Sequence, residues 1–163
     1  MPTPKLRTSA RFTSLGTTVV LWLPSVAAAN LTPTRTEMDN GLDLTEEIND
    51  WSGWSLARAD IPTPDLASEF EGSIPGKMTS EQSSLTLYAD ETGDDVRADI
   101  TMDQSGHVML CYGGDVPGNK ADVFPVKVKS MPKLPSVNGE AADKIQVQFS
   151  ITRRPALDVT IPA

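Results

Sequence analysis

Residues 143–154, DKIQVQFSITRR, alternate apolar and polar side chains over nine positions. Ile145, Val147, Phe149 and Ile151 take every second place, and Lys144, Gln146, Gln148, Ser150 and Thr152 fill the gaps. Successive side chains on a strand point to opposite faces, so this period of two predicts a strand with one apolar and one polar face. Pro155, which cannot donate to a ladder, ends it. The apolar face must be buried against a second layer. The polar face meets water, a partner or a channel, and the function turns on which.

The bulk composition narrows the choice. The chain has 163 residues, 14 Lys and Arg against 22 Asp and Glu, and a net charge of −8. That length suits one domain with arms or long loops. The charge argues against a surface that grips nucleic acid, which needs clustered Lys and Arg. It leaves open a surface that keeps nucleic acid off. The single cysteine, Cys111, excludes an internal disulfide. Thirteen prolines and eleven glycines divide the chain into short segments, the texture of an all-β fold.

The N-terminus allows two readings. Lys5, Arg7 and Arg11 precede the apolar run Val19–Leu23, and Ala27–Ala29 follow it, the layout of a secretory signal peptide. The run is short, however, and opens on the β-branched series Thr17, Thr18, Val19, Val20, which favours a buried strand over 17–23 ended by Pro24. No stretch is long enough to span a membrane as a helix.

Further along, 34–40 predicts one helical turn, and 44–51 and 54–61 predict two strands about Ser52-Gly53, the second with broken alternation that suits a bulge or an edge. Ile61–Gly76 reads as a long excursion marked by Pro62, Pro64 and Pro75, within a loop reaching residue 82. Its Leu66, Phe70 and Ile74 are too apolar for a solvated linker. They would either contact a partner or fold back on the core. Strands are expected over 83–89, 107–112, 123–128 and, after Pro155, through Leu157, Val159 and Ile161. A short helix over 93–100, capped by Asp90 or Thr92, completes seven or eight strands and one short helix.

No catalytic, metal or cofactor constellation is expected. His107 has no nucleophile and carboxylate singled out beside it, and one histidine with one cysteine cannot make a common zinc site. Gly113–Lys120, GGDVPGNK, half resembles a phosphate loop, but Ala121 stands in place of Ser or Thr and a strand follows, so it reads as a hairpin turn. The paired carboxylates Glu46–Glu47, Glu69 and Glu71, and Asp94–Asp95 could serve a hydrolase or be solvated charge.

Several stretches in colinear order resemble the tail tube (major tail) proteins of long-tailed, siphovirus-type bacteriophages, especially those of actinobacteria. They are residues 31–35, 41–44, 51–54 running into 61–66, 74–76, 83–89, 94–97, 122–126, 145–155 and 159–163. The match covers about residues 30–163, and the N-terminal arm departs from it most. The resemblance implies an all-β domain of tail-tube sandwich or barrel type over 31–163, following an arm with the first strand over 1–30. It further implies hexameric rings of the chain stacked into a hollow tube in the virion tail, assembled in the host cytoplasm. Its partners would be other copies, the tape measure, tail terminator and distal tail proteins, and DNA passing without specific binding, with no membrane insertion.

In that reading Lys144, Gln146, Gln148, Ser150 and Thr152 line the lumen. A neutral-to-negative lining would let phosphates slide past. Ile61, Pro62, Asp65, Leu66, Phe70, Ile74 and Pro75 would contact the adjacent ring. The competing reading is a secreted bacterial β-sandwich that binds a ligand after losing residues 1–29.

Overall fold

The computed structural model describes residues 3–163; residues 1 and 2 of the expected arm lie outside it. Residues 3–16 are exposed and carry no regular structure before the turn that leads into the first strand. The strands, in chain order, are β1 (Val19–Leu23), β2 (Leu42–Asp43), β3 (Ile48–Ser52), β4 (Leu56–Thr63), β5 (Gly72–Ser80) and β6 (Ser83–Tyr88). They continue as β7 (Ser105–Cys111), β8 (Lys120–Ser130), β9 (Lys133–Leu134), β10 (Lys144–Ile151) and β11 (Ala156–Thr160). Two short helices interrupt them, α1 (Arg35–Asp39) and α2 (Val96–Asp99).

Nine strands form one antiparallel sheet in the order β2-β1-β7-β8-β10-β6-β3, with β11 beside β8 and β9 beside β10. The long β8 serves two partners along one edge: Lys120–Val123 pairs with β11, and Val126–Ser130 pairs with β10. The sheet is rolled. Trp22 on β1 and Phe149 on β10, with two strands between them in the sheet, bring their rings to 6.1 Å. Trp51 on β3 and Tyr112 at the end of β7 meet at 6.3 Å. No ladder joins β2 to β3, so among the described residues the roll is not a closed barrel.

Two apolar clusters follow from alternation. Val20 and Trp22 of β1, with Val108, Leu110, Phe124, Val126, Ile145, Val147, Phe149, Leu85 and Leu87, fill the inside of the roll. Leu21 and Leu23 point the other way and meet Met109, Cys111, Val123, Val159 and Ile161 under Leu31 and Met38. The β1 run is therefore apolar throughout because both its faces are buried. Gly106 makes room for Trp22, since a Cβ there would lie 2.4 Å from the indole. Residues 19–23 are thus core strand, which corrects the signal-peptide reading: a chain cut after residue 29 would lose Trp22 and Leu23 from the two clusters.

The α1 helix is fixed by a capping box. The Glu37 backbone N–H donates to the Thr34 hydroxyl, and the Thr34 N–H donates to the Glu37 carboxylate. Arg35 donates two bonds of 2.7 Å to Asp115, tying that helix to the β7–β8 turn. The expected strand over 44–51 is half replaced by a 3₁₀ turn at Thr45–Glu47. The expected helix over 93–100 shrinks to Val96–Asp99, capped by Asp95 rather than Asp90 or Thr92.

Much of the expected loop is strand. β4 and β5 pair with each other over Leu56–Thr63 and Gly72–Ser80 and, among the described residues, with no other strand. Only 64–71 is a loop, at the tip of a two-stranded arm. The register slips between Arg58 and Asp60, where Gly76 lets the strands close up: a Cβ there would lie 2.6 Å from the Ala59 carbonyl oxygen. Pro62 and Pro75 stand on this arm, where each lacks an N–H to offer a further strand.

Candidate assembly surfaces

The polar face of β10 is a hydrogen-bonded mosaic. Gln148 Nε2 donates to Gln146 Oε1 at 3.0 Å, Gln146 Nε2 to Ser84 Oγ at 3.4 Å, and Ser130 Oγ to Gln148 Oε1 at 2.7 Å. Lys144, Gln146 and Gln148 are half-buried and Ser150 is exposed. Cross-strand partners extend the face to Thr86 and Ser84 on β6 and to Asp50 on β3. Lys127, opposite Ser150, is ion-paired with Asp103 at 3.4 Å. Each glutamine amide uses one of its two N–H donors on a neighbour within the chain, which fixes the orientation of these side chains. The acidic excess lies elsewhere: the face is close to neutral, with Asp50 its one carboxylate among these cross-strand partners. Thr152 lies beyond the end of β10, its N–H and hydroxyl both donating to the Pro125 carbonyl.

The second surface is the arm. Ile61 and Ile74 face each other across it, 49% and 53% exposed, and at the tip Phe70 is 80% exposed and Leu66 fully so. Asp65 accepts from the Ala67 N–H, and Ser68 accepts from the Phe70 N–H, so local turns shape the tip. A lone two-stranded hairpin is marginal in water. One that holds four large apolar side chains in solvent calls for a cover from outside its own chain.

At the foot of the arm lies a groove of about 520 Å³ between β4–β5 and the segment after β10. Leu56, Met78 and Ile151 form its half-buried apolar part, and Arg58, Arg153 and Arg154 stand exposed on it. Trp54 roots the arm in the core. Its backbone is left-handed at φ 63°, its N–H donates to Ser83 Oγ, and its indole Nε1 donates to the Ser84 carbonyl, both at 3.1 Å.

Three further titratable residues are shaped by burial or by pairing. Burial first, and the Arg153 charge second, hold the His107 pKa below its ordinary value. The Cys111 thiol is pushed up to about 12, chiefly by burial. Asp95, hydrogen-bonded to Arg97 with a 2.6 Å ion pair, lies well below the usual carboxylate range, so it stays ionised and is unsuited to act as an acid.

A family model described as phage tail tube protein matches residues 6–163. The chain belongs to the phage tail tube protein family. It is a structural component of the virion tail. Among solved structures, this tail tube protein is similar to the sheath/tube terminator of an extracellular contractile injection system, PVC, in its extended state. The TM-score is 0.60 at 10% identity, over 90% of this chain and 97% of that one. That likeness is one of fold: a mainly antiparallel β protein of tail-tube type. No curated protein sequence matches the tail tube chain.

The arm's apolar residues and the polar face of β10 are local features of the sequence, whereas the arginine groove is not, because Arg58 is remote in sequence from Arg153 and Arg154 and only the fold brings them together.

Proposed function

We propose that this tail tube protein assembles as hexameric rings which stack into a hollow tube, and that the tube conducts the genome during ejection from a long-tailed, siphovirus-type particle. The observation that carries this reading is the arm, a hairpin outside the main sheet that among the described residues leaves Leu66 and Phe70 in solvent and Ile61 and Ile74 about half exposed. Contacts through Ile61, Pro62, Asp65, Leu66, Phe70, Ile74 and Pro75 to the adjacent ring would supply the cover. Ring closure needs a heterologous interface that meets itself, while stacking needs one that does not and so grows a filament.

The β10 face suits the lumen. Lys144, Gln146, Gln148 and Ser150, with Thr152 at its rim, would give DNA a wetted and nearly neutral wall whose glutamines are held by neighbours in the chain. A wall without free cationic clusters lets DNA pass instead of binding it. The tape measure, tail terminator and distal tail proteins would be its partners in the tail, which would be assembled in the host cytoplasm.

Electron microscopy of the concentrated protein tests the reading: rings and tubes are expected, and a strictly monomeric protein would overturn it. Phe70→Asp sharpens the test. Phe70 is exposed, so its loss is expected to change subunit stability by no more than about 0.5 kcal/mol. Tube formation should fall sharply. An unfolded variant would place Phe70 in its own core instead.

A further inference from the structure

The arm has opposite charges at its two ends. The tip, 64–71, carries the three carboxylates Asp65, Glu69 and Glu71 and no Lys or Arg. The groove at its foot carries three guanidinium groups and no carboxylate among its lining residues. Among the described residues, the ion pairs of the chain engage Arg35, Arg97 and Lys127, whereas Arg58, Arg153 and Arg154 enter none. Apolar surface matches as well, with Leu66 and Phe70 at the tip and Leu56, Met78 and Ile151 at the foot.

The two ends cannot satisfy each other within one molecule. β4 alone has eight residues, which at about 3.3 Å each hold tip and foot roughly 25 Å apart. The complement must come from another copy. We infer that the tip of one copy's arm seats in the arginine groove at the foot of the next copy's arm, and that this head-to-tail contact is the one that propagates the tube. The inference rests on the stacking reading above and names its socket.

Physical roles divide between the two kinds of contact. Leu66 and Phe70 leave water and supply affinity. Exposed ion pairs are worth little singly, at about 0–1 kcal/mol, but they set register and exclude wrong partners. Groove arginines that faced a like-charged or apolar partner would be left unpaired. Repetition around a ring then multiplies a modest contact. The prolines on the arm fit this mode, because docking by side chains requires no new ladder along its edges.

Charge reversal in the full chain tests the proposal. The double variant Glu69→Arg with Glu71→Arg, and separately Arg153→Glu with Arg154→Glu, are each expected to reduce tube mass by about tenfold or more, measured by sedimentation and electron microscopy. Thermal melts should match the parent; should a variant fail to fold, Arg153→Gln with Arg154→Gln carries the same test. Combining all four reversals is expected to restore tubes. Tubes unaffected by either double variant would overturn the socket and leave the stacking reading standing, as would failure of the combined variant to restore them. Salt-dependent DNA binding by the parent that Arg153→Glu with Arg154→Glu abolishes, while tubes persist, would instead assign the groove to nucleic acid. A parent that forms no tubes under any condition would overturn both readings.

Discussion

A chain in which residues 61–74 are replaced by Asn-Gly is expected to fold as the parent does and to form no tubes. The physical basis is the isolation of the arm: β4 and β5 pair only with each other, so shortening them removes no partner from the nine-stranded sheet. Ile61, Leu66, Phe70 and Ile74 are all exposed, so little buried apolar area is lost. Loop length changes closure free energy by only about 0.6 kcal/mol per doubling, and a domain of this size shifts its melting temperature by roughly 2–4 °C per kcal/mol. A melt within about 2 °C of the parent is therefore expected, together with complete loss of tubes by electron microscopy. Tubes of normal yield would remove the arm from assembly. A collapse in stability would show that the hairpin braces its own domain.

The second large effect is expected at the root of the arm. Trp54→Ala removes an indole that is 9% exposed and packs against Phe124 at 5.2 Å and Phe149 at 5.6 Å between ring centroids. Truncating a buried tryptophan costs about 3–5 kcal/mol. The Ser84 carbonyl also loses its indole donor, since alanine keeps only the backbone N–H to Ser83. At roughly 2–4 °C per kcal/mol the melting temperature should fall by about 6–20 °C. Trp54→Phe keeps most of the packing and loses only the Nε1 bond, so a smaller drop, worth about 1–2 kcal/mol, is expected. Equal melts for the parent and Trp54→Ala would mean that the roll does not depend on this side chain.

How much of this was legible in the sequence depended on how burial was distributed. β10 was plain because one face is core and the other is polar, which writes a period of two into the residues. β1 resembled part of a leader because Val20 and Trp22 face one cluster while Leu21 and Leu23 face the other, leaving no polar positions to reveal a strand. Within the arm, β4 was legible as a strand over 54–61 whose broken alternation marks its bulge between Arg58 and Asp60, but β5, with both faces largely in solvent, has no apolar side to repeat, and Pro62, Pro64 and Pro75 read as loop. In β11 the left-handed Asp158, at φ 56°, breaks the alternation expected of Leu157, Val159 and Ile161, so Leu157 is exposed while the other two are buried. The two-residue strands β2 and β9 are too short to carry any pattern.

The candidate site divides along the same line. The amides of β10 and the apolar residues of the excursion announce themselves locally. The arginine groove exists only because β10 ends where β4 and β5 begin to leave the body.

A hairpin with a plug at one end and a receptacle at the other would also be a measuring rod. In a column assembled through it, the advance from one layer to the next is counted in residues. Lengthening both strands by two positions would move successive layers apart by about 6.7 Å. Column length would remain the business of other proteins, but its pitch would be written between Leu56 and Ser80.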